Sequence, residues 1–396
     1  FTGSDKKSVE MAGKPCHHAP SLRREPTAMK KNISKTSPRI KFDPDFGSAV
    51  GALKAIRAGV ISSKELTKHV FRRIKKHNEK INAFVTLNEE QALKLARRAD
   101  QTLAKGHVLG PLHGLPVVIK DQFRTAGLRT TCGFRELENY VPRENAVAVQ
   151  RLVDAGAIIV GKTNSPIGAS DIQTYNKVTG TTNNPWDTKK TSGGSTGGGA
   201  AALAAGMGFL ELGSDLAGSI RTPSNFCGTC GHKSSLNLVP FQGAIPPLPS
   251  SIDPGINLEG LNDLAVVGPM ARWAEDLKLE LSVIAGPAPE NAAAYRWSMP
   301  KPRKTKLSDY KIGFVTDDPF CPVHPEIKAT VASVAKTLRA QGVKVREGWP
   351  EGIVFSDIFE TYFKLLAAYV SQSPAFTDSV IEMMKLLFYM PFGDTQ

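Results

Sequence analysis

The chain has 396 residues, 41% of them hydrophobic and 22% charged, and a formal net charge of +13. This composition is typical of a globular protein, and a chain of this length buries a large core. The excess charge lies at one end: residues 1–40 hold nine Lys and Arg against three Asp and Glu, and residues 41–80 hold ten against four. Because aromatic residues are scarce there, the charge favours a solvated surface and disfavours nucleic acid as a partner.

Cysteine content and hydropathy exclude further classes of protein. Five cysteines are too few and too scattered for a disulfide framework, and Cys227 and Cys230 form a lone C-x-x-C without the second pair that zinc requires. We therefore expect no metal site, and no cofactor is expected either. No apolar run reaches the roughly 18 residues of a membrane span, and the start of the chain lacks the apolar stretch of a secretory signal. These absences predict a cytoplasmic protein without membrane contact.

The chain divides into a tail and one domain. Residues 1–40 lack hydrophobic periodicity and are rich in Lys, Arg, Ser and Pro, which predicts a disordered basic tail. Met29 lies inside this tail, so the tail need not belong to the native protein. Residues 41–396 are predicted to form a single domain.

The first helix signal lies at Ser62, an N-cap that Glu65 completes as a capping box. Leu66, Val70 and Ile74 follow at four-residue spacing and give the helix one apolar face. A second helix is predicted over residues 89–103.

Short apolar runs between breakers predict buried strands. Residues 114–121 (GLPVVIKD) form such a run and place Lys120 at the end of a strand. Later elements alternate in type: a helix over 146–155, a strand over 157–160, a strand over 311–315, a helix over 325–339, a strand over 343–345 and an apolar, helix-like segment over 381–389. This alternation predicts an α/β fold.

The centre of the chain is rich in glycine and serine. Residues 191–199 (TSGGSTGGG) predict a loop, followed by an alanine-rich helix over residues 200–205. Ser219 lies in a second small-residue segment, SDLAGSIR, over residues 214–221. Residues 232–260, rich in Pro and Gly, are expected to wind over the surface.

Several functions compete for this central region. A phosphate-binding loop would need a Gly-Lys-Ser/Thr sequence within it, and a dinucleotide loop would need an apolar strand before it; the glycine-rich loop over residues 191–199 has neither. An α/β-hydrolase elbow, G-x-S-x-G, would make Ser195 the nucleophile, but it also needs a preceding strand. Glycines that merely build turns would not explain two Ser-Gly clusters together with Lys120.

The remaining interpretation uses three residues together. Ser219 follows small residues whose backbone N–H groups can face a developing oxyanion. No histidine lies near these motifs, so a base must be of another type, and Lys120 qualifies if burial makes it neutral. Ser195, on the glycine-rich loop, can relay the proton between them.

At these residues the chain resembles the amidase signature family. Residues 114–121, 191–202 and 214–228 are similar to the family's lysine, glycine/serine and nucleophile motifs, in that order. The resemblance implies an α/β fold with a central mixed β-sheet flanked by helices. It also implies that family members extend beyond residue 396, so the domain is expected to be short at its C-terminus. Thr196 stands where the family often has a second serine.

Carried over by position, the resemblance implies a Ser–Ser–Lys triad. Ser219 is the acyl-forming nucleophile, Ser195 the bridging serine after a cis peptide bond at Gly194, and Lys120 the general base. The implied oxyanion hole consists of the backbone N–H groups of Leu216, Ala217, Gly218 and Ser219. The acyl pocket is expected near residues 132–134 and 172–176.

The implied activity is hydrolysis of the carbon–nitrogen bond of small or aryl carboxamides, in the manner of an aryl acylamidase or a urethanase. Carbamates and esters are secondary substrates. The expected binding partners are this small-molecule substrate and, in a homodimer, a second copy of the chain. Two alternatives stay open: one component of a glutamine-dependent transfer-RNA amidotransferase, and a catalytically silent binding protein on the same fold.

Overall fold

The computed structural model describes residues 41–246 and 264–371, with side chains through residue 366. The predicted tail over residues 1–40 and the helix-like segment over 381–389 lie outside the described residues. Within the described ranges, no helix is both long enough and apolar enough to cross a bilayer.

The elements alternate in type along much of the chain. The described α-helices are α1 (Ala49–Arg57), α2 (Ser63–Ile81), α3 (Glu89–Ala104), α4 (Val147–Asp154), α5 (Gly197–Ala204), α6 (Arg221–Cys227), α7 (Ala274–Ile284), α8 (Pro325–Ala340) and α9 (Phe355–Ser371). The described strands are β1 (Phe84–Leu87), β2 (Pro116–Lys120), β3 (Ile158–Thr163), β4 (Tyr175–Asn176), β5 (Gly180–Thr181), β6 (Leu210–Asp215), β7 (Cys230–Gly231), β8 (Val266–Ala271), β9 (Lys311–Phe314) and β10 (Lys344–Glu347).

A mixed six-stranded sheet forms the centre, in the order β1-β3-β2-β6-β8-β7. Strand β2 runs parallel to both of its neighbours, β3 and β6, whereas β8 runs antiparallel to β6. Every residue of β2, β3, β6 and β8 is buried, as expected for strands covered on both faces. Helices α2, α3, α5 and α7 pack against these strands. The predicted fold, a mixed sheet flanked by helices, is confirmed.

The start of α2 follows from local chemistry. The Ser62 hydroxyl accepts from the Glu65 backbone N–H at 3.1 Å, and the Glu65 carboxylate accepts from the Ser62 N–H at 2.8 Å. The apolar face is buried, with Leu66 and Val70 at 0% exposure and Ile74 at 2%. Both the predicted capping box and the predicted face are confirmed.

The glycine-rich segment departs from its prediction, because α5 begins at Gly197 rather than at residue 200. Three consecutive glycines form the first turn of this helix, and a Cβ atom at any of them would collide with a neighbouring residue. A Cβ on Gly198 would collide with the backbone of Asn164, and one on Gly199 would collide with the carboxyl group of Glu211. These glycines are therefore packing residues of a buried helix, and the loop ends at Thr196.

The C-terminal α/β pattern is confirmed, although its strands form a separate sheet. Strands β9 and β10 pair in parallel and apart from the central sheet. Helix α8 connects them along the chain and packs against β10. The predicted strand over residues 343–345 starts one residue later, at Lys344, and runs to Glu347.

Part of the segment predicted to wind over the surface belongs to the core. Val239 and Ala244 are each 4% exposed and join the main hydrophobic cluster. Ile245 packs in a second cluster with Phe134 and Leu137. Residues 232–237 are mostly exposed, as predicted, but for residues 239–246 the surface prediction is wrong, since scattered apolar side chains in an irregular segment gave no periodic signal. Residues 247–260 lie outside the described ranges.

Candidate active site

Lys120 is the last residue of β2 and is completely buried. Its Nζ donates to Ser195 Oγ at 2.6 Å and to Ser214 Oγ at 2.9 Å. Burial lowers the pKa of Lys120 to about 8, although nearby Cys132, Glu211 and Asp215 act in the opposite direction. The ammonium therefore loses its proton near neutral pH far more readily than an exposed lysine.

Ser195 lies on the loop between Lys190 and α5, directly after a cis Gly194–Ser195 peptide bond. The loop is anchored on both sides of this bond. Before it, the Gly193 carbonyl accepts from Thr174 Oγ1 at 2.9 Å; after it, the Thr196 N–H donates to the Ser219 carbonyl at 3.1 Å. The loop that carries Ser195 is thus hydrogen-bonded to the segment that carries Ser219.

Ser219 lies in the turn between β6 and α6 and is half-buried. Asp215, at the end of β6, organises this turn by accepting from the N–H groups of Gly218 at 2.9 Å and Ile220 at 3.1 Å. Arg221 adds a bidentate ion pair to the same carboxylate, at 2.9 and 3.0 Å. Burial raises the pKa of Asp215, but these hydrogen bonds and the Arg221 charge outweigh it and hold the pKa below its usual range.

The four N–H groups predicted as an oxyanion hole are not equivalent. The Gly218 N–H is directed at Asp215, so it is occupied in this arrangement. Among the described residues, the N–H groups of Ala217 and Ser219 have no hydrogen-bond partner. Together with Leu216, which lines the adjacent cleft, they remain the candidates for binding an oxyanion.

Ser195 and Ser219 line one narrow cleft of about 360 Å³, a volume that includes the space open to solvent. The other lining residues are Gln122, Gly168, Ala169, Ser214, Leu216, Phe241, Pro246 and Ala265. The lining includes none of residues 132–134 or 172–176, and the acyl pocket expected near those residues stays a prediction. Instead, Phe241 and Pro246 bring apolar surface from the segment after β7.

Sequence reasoning missed Ser214 and Gln122, two polar side chains next to the predicted triad. Ser214 accepts from Lys120 as Ser195 does, and its own hydroxyl donates to Gln122 Oε1. Ser214 stands inside the nucleophile motif, but no local pattern reveals that its hydroxyl faces Lys120. Only the pairing of β2 with β6 brings the two residues together.

A second buried lysine was also missed. Lys162 lies on β3, beyond the point at which the predicted strand ends, and is 0% exposed. It donates to the Phe123 carbonyl, to Thr125 Oγ1 at 3.0 Å and to Thr130 Oγ1 at 3.2 Å. Burial lowers its pKa to about 8 as well. The predicted strand ends at residue 160, because the Gly-Lys-Thr sequence that follows the apolar run is not typical of a strand.

No group of three or more His, Cys, Asp or Glu suited to holding a metal ion occurs in the described part of the chain.

Comparisons with known proteins show which family the chain resembles. Residues 65–393 match the family model described as Amidase. The chain is 42% identical over 247 residues to a glutamyl-tRNA(Gln) amidotransferase subunit of Carboxydothermus hydrogenoformans, covering 62% of this chain and 48% of the relative. It is 36% identical over 333 residues to the same amidotransferase subunit of a Synechococcus species, covering 82% and 64%.

Among solved structures, fatty acid amide hydrolase superposes with a TM-score of 0.73 at 26% identity, covering 82% of this chain and 56% of the other. The chain thus spans about half to two thirds of the length of the relatives it matches. With a family model that covers most of the chain and a mixed sheet of matching architecture, the chain belongs to the amidase signature family.

Proposed function

We propose that this protein hydrolyses the carbon–nitrogen bond of small or aryl carboxamides through an acyl-enzyme on Ser219. The observation that carries the proposal is the 2.6 Å contact between Lys120 Nζ and Ser195 Oγ, beneath a cleft that Ser195 and Ser219 both line. A buried amine with a pKa of about 8 suits a base that must be neutral to accept a proton.

In the proposed reaction, Ser219 Oγ attacks the carbonyl carbon while its proton passes to Ser195 and the Ser195 proton passes to neutral Lys120. The negative charge moves to the carbonyl oxygen, which backbone N–H groups of the turn stabilise. The carbon–nitrogen bond then breaks as the amine takes the proton back through Ser195. Water hydrolyses the acyl-enzyme by the same relay, which releases the acid and frees Ser219.

Labelling with an organophosphorus probe tests the assignment. We expect the adduct on Ser219 and its loss in Ser219→Ala, with hydrolysis of anilides, primary amides or carbamates lost in parallel. Because trypsin leaves Ser195 and Ser219 in one peptide ending at Arg221, fragment ions must locate the adduct. An adduct on Ser195 in the wild type would instead favour a hydrolase elbow.

A second candidate function rests on the identity to the glutamyl-tRNA(Gln) amidotransferase subunits. In that case Ser219 would take the acyl group of glutamine and release ammonia for a partner chain. The relative kcat/KM for glutamine and for an anilide separates the two functions. Ammonia release from glutamine that rises on addition of a partner chain would favour the amidotransferase, and anilide hydrolysis by the isolated chain would favour the amidase.

The alternative of a catalytically silent binding protein is less well supported, because all three triad positions carry reactive side chains. Failure of every substrate and of the probe to react with folded protein would revive it.

A further inference from the structure

Helix α9 reaches the turn that carries Ser219. Tyr362, on this helix, donates its hydroxyl to the Leu216 carbonyl at 3.2 Å, across 146 positions of the chain. The Tyr362 side chain is half-buried. Burial and the nearby Asp215 carboxylate raise the pKa of Tyr362 above its usual value, so the phenol keeps its proton and remains a donor.

The Leu216 carbonyl and the Ala217 N–H belong to one peptide unit. In a trans peptide these two groups point in opposite directions within one plane. A hydrogen bond that holds the carbonyl therefore also sets the direction of the N–H. The Ala217 N–H, next to Leu216 of the cleft lining, has no partner among the described residues, which leaves it available to a ligand.

The Ser219 N–H, another donor of the turn without a partner among the described residues, is held differently. The carbonyl that shares a peptide unit with the Ser219 N–H is that of Gly218, and it accepts from the Thr222 N–H at 2.7 Å. That bond comes from the first turn of α6, only four residues away. In the peptide unit that contains the Ala217 N–H, the Leu216 carbonyl instead accepts from Tyr362, a side chain on the distant helix α9.

We propose that Tyr362 is a positioning residue that orients the Ala217 N–H as an oxyanion donor. The proposal rests on the proposed acyl-enzyme at Ser219. Tyr362 acts through the peptide unit and not on the substrate, so its loss weakens stabilisation of the transition state while leaving substrate binding in place. Complete loss of an oxyanion donor costs roughly 10²–10³ in kcat; a donor that is present but free to rotate costs less, about 10-fold.

Tyr362→Phe tests the proposal because it removes only the hydroxyl. We expect kcat to fall about 10-fold with KM within about twofold of wild type. The affinity for an aldehyde or boronic acid that forms a tetrahedral adduct on Ser219 should fall by a similar factor. The affinity for a planar, unreactive substrate analogue should not change.

Tyr310→Phe is a matched control. Tyr310 also donates to a backbone carbonyl, that of Lys304 at 2.9 Å, but both residues are exposed and distant in sequence from the turn. This variant should keep wild-type kcat. An equal loss in both variants, or a Tyr362→Phe variant with normal kcat and raised KM, would overturn the positioning role; the latter would make Tyr362 a substrate contact.

The outcomes also separate this proposal from the one on which it rests. If wild-type protein shows neither hydrolysis nor labelling of Ser219, the acyl-enzyme proposal fails and the role of Tyr362 fails with it. If labelling and activity require Ser219 but Tyr362→Phe has wild-type kcat and wild-type affinity for the tetrahedral analogue, the role of Tyr362 alone is wrong.

Discussion

Two buried lysines lie on neighbouring strands of this sheet, and they contact different partners. Lys120 and Lys162 are both 0% exposed, and burial lowers the pKa of each to about 8. Lys162 pairs with Ile119 in the ladder, so side-chain alternation turns it to the face opposite Lys120. Lys120 contacts the hydroxyls of Ser195 and Ser214, whereas Lys162 contacts a carbonyl and two threonines that do not line the cleft.

The comparison shows that a lowered pKa does not identify a base. Both amines can lose a proton near pH 8, but a base also needs a path for the proton from the reacting group. In the proposed mechanism Ser195 provides that path for Lys120, since Ser195 both accepts from Lys120 and lines the cleft. Lys162 instead ties β3 to residues 123–130, which makes its expected role structural.

Replacing each lysine separates the two roles and carries the largest expected effect. Lys120→Met should lower kcat by about 10³-fold or more and remove the ascending limb of the pH–rate profile. In wild type this limb rises with pH and levels off above about 8, since the base must lose its proton. Lys162→Met should keep the limb and lower the midpoint of denaturant unfolding. Equal loss of kcat in two folded variants would contradict the comparison.

The second largest effect is expected at Ser195, the residue proposed to relay the proton. Ser195→Ala should slow labelling of Ser219 by an organophosphorus probe about 10²–10⁴-fold, the range for assisted proton transfer, without moving the adduct. Stopped-flow inactivation rates measure the effect, and Ser170→Ala, at a serine outside the cleft lining, serves as a control. A rate in Ser195→Ala equal to that of the control would show that the proton takes another path.

The carboxyl group of Glu211 offers a smaller test. Glu211 is fully buried, and burial raises its pKa to about 8; its negative form raises the pKa of Lys120. Glu211→Gln removes that negative charge, so the ascending limb should move to lower pH by less than about one unit. The Thr163 hydroxyl, which donates to Glu211 Oε1 at 2.7 Å, can donate to the glutamine. A limb that moves to higher pH would show that the Glu211 charge does not act on Lys120.

Deletion of residues 1–40 carries the smallest expected effect. The sequence predicts no ordered element there, and both lysine environments lie within the described residues. Specific activity should stay within about twofold of the full chain, a change in activation free energy below roughly 0.5 kcal/mol. A larger loss in a deletion variant with unchanged circular dichroism would assign the basic tail a part in catalysis.

Several features of this protein follow from short-range patterns. The capping box at Ser62, the apolar face of α2 and the strand that ends at Lys120 are each encoded within a few residues. The motifs around Lys120, Ser195 and Ser219 resemble one family strongly enough to predict its fold, which the family match and the mixed sheet confirm. The catalytic roles of the three residues remain predictions.

The tertiary structure decided which polar groups meet. Ser214 and Lys120 are 94 positions apart, Tyr362 and Leu216 are 146 apart, and both contacts depend on how distant segments pack. The burial of Lys162 depends on the extent of β3 and on what covers it, and the need for a glycine at position 197 depends on the Thr174 and Ser192 side chains that crowd it. Local periodicity reports the state of one segment at a time, whereas these contacts arise only when the strands and helices pack together.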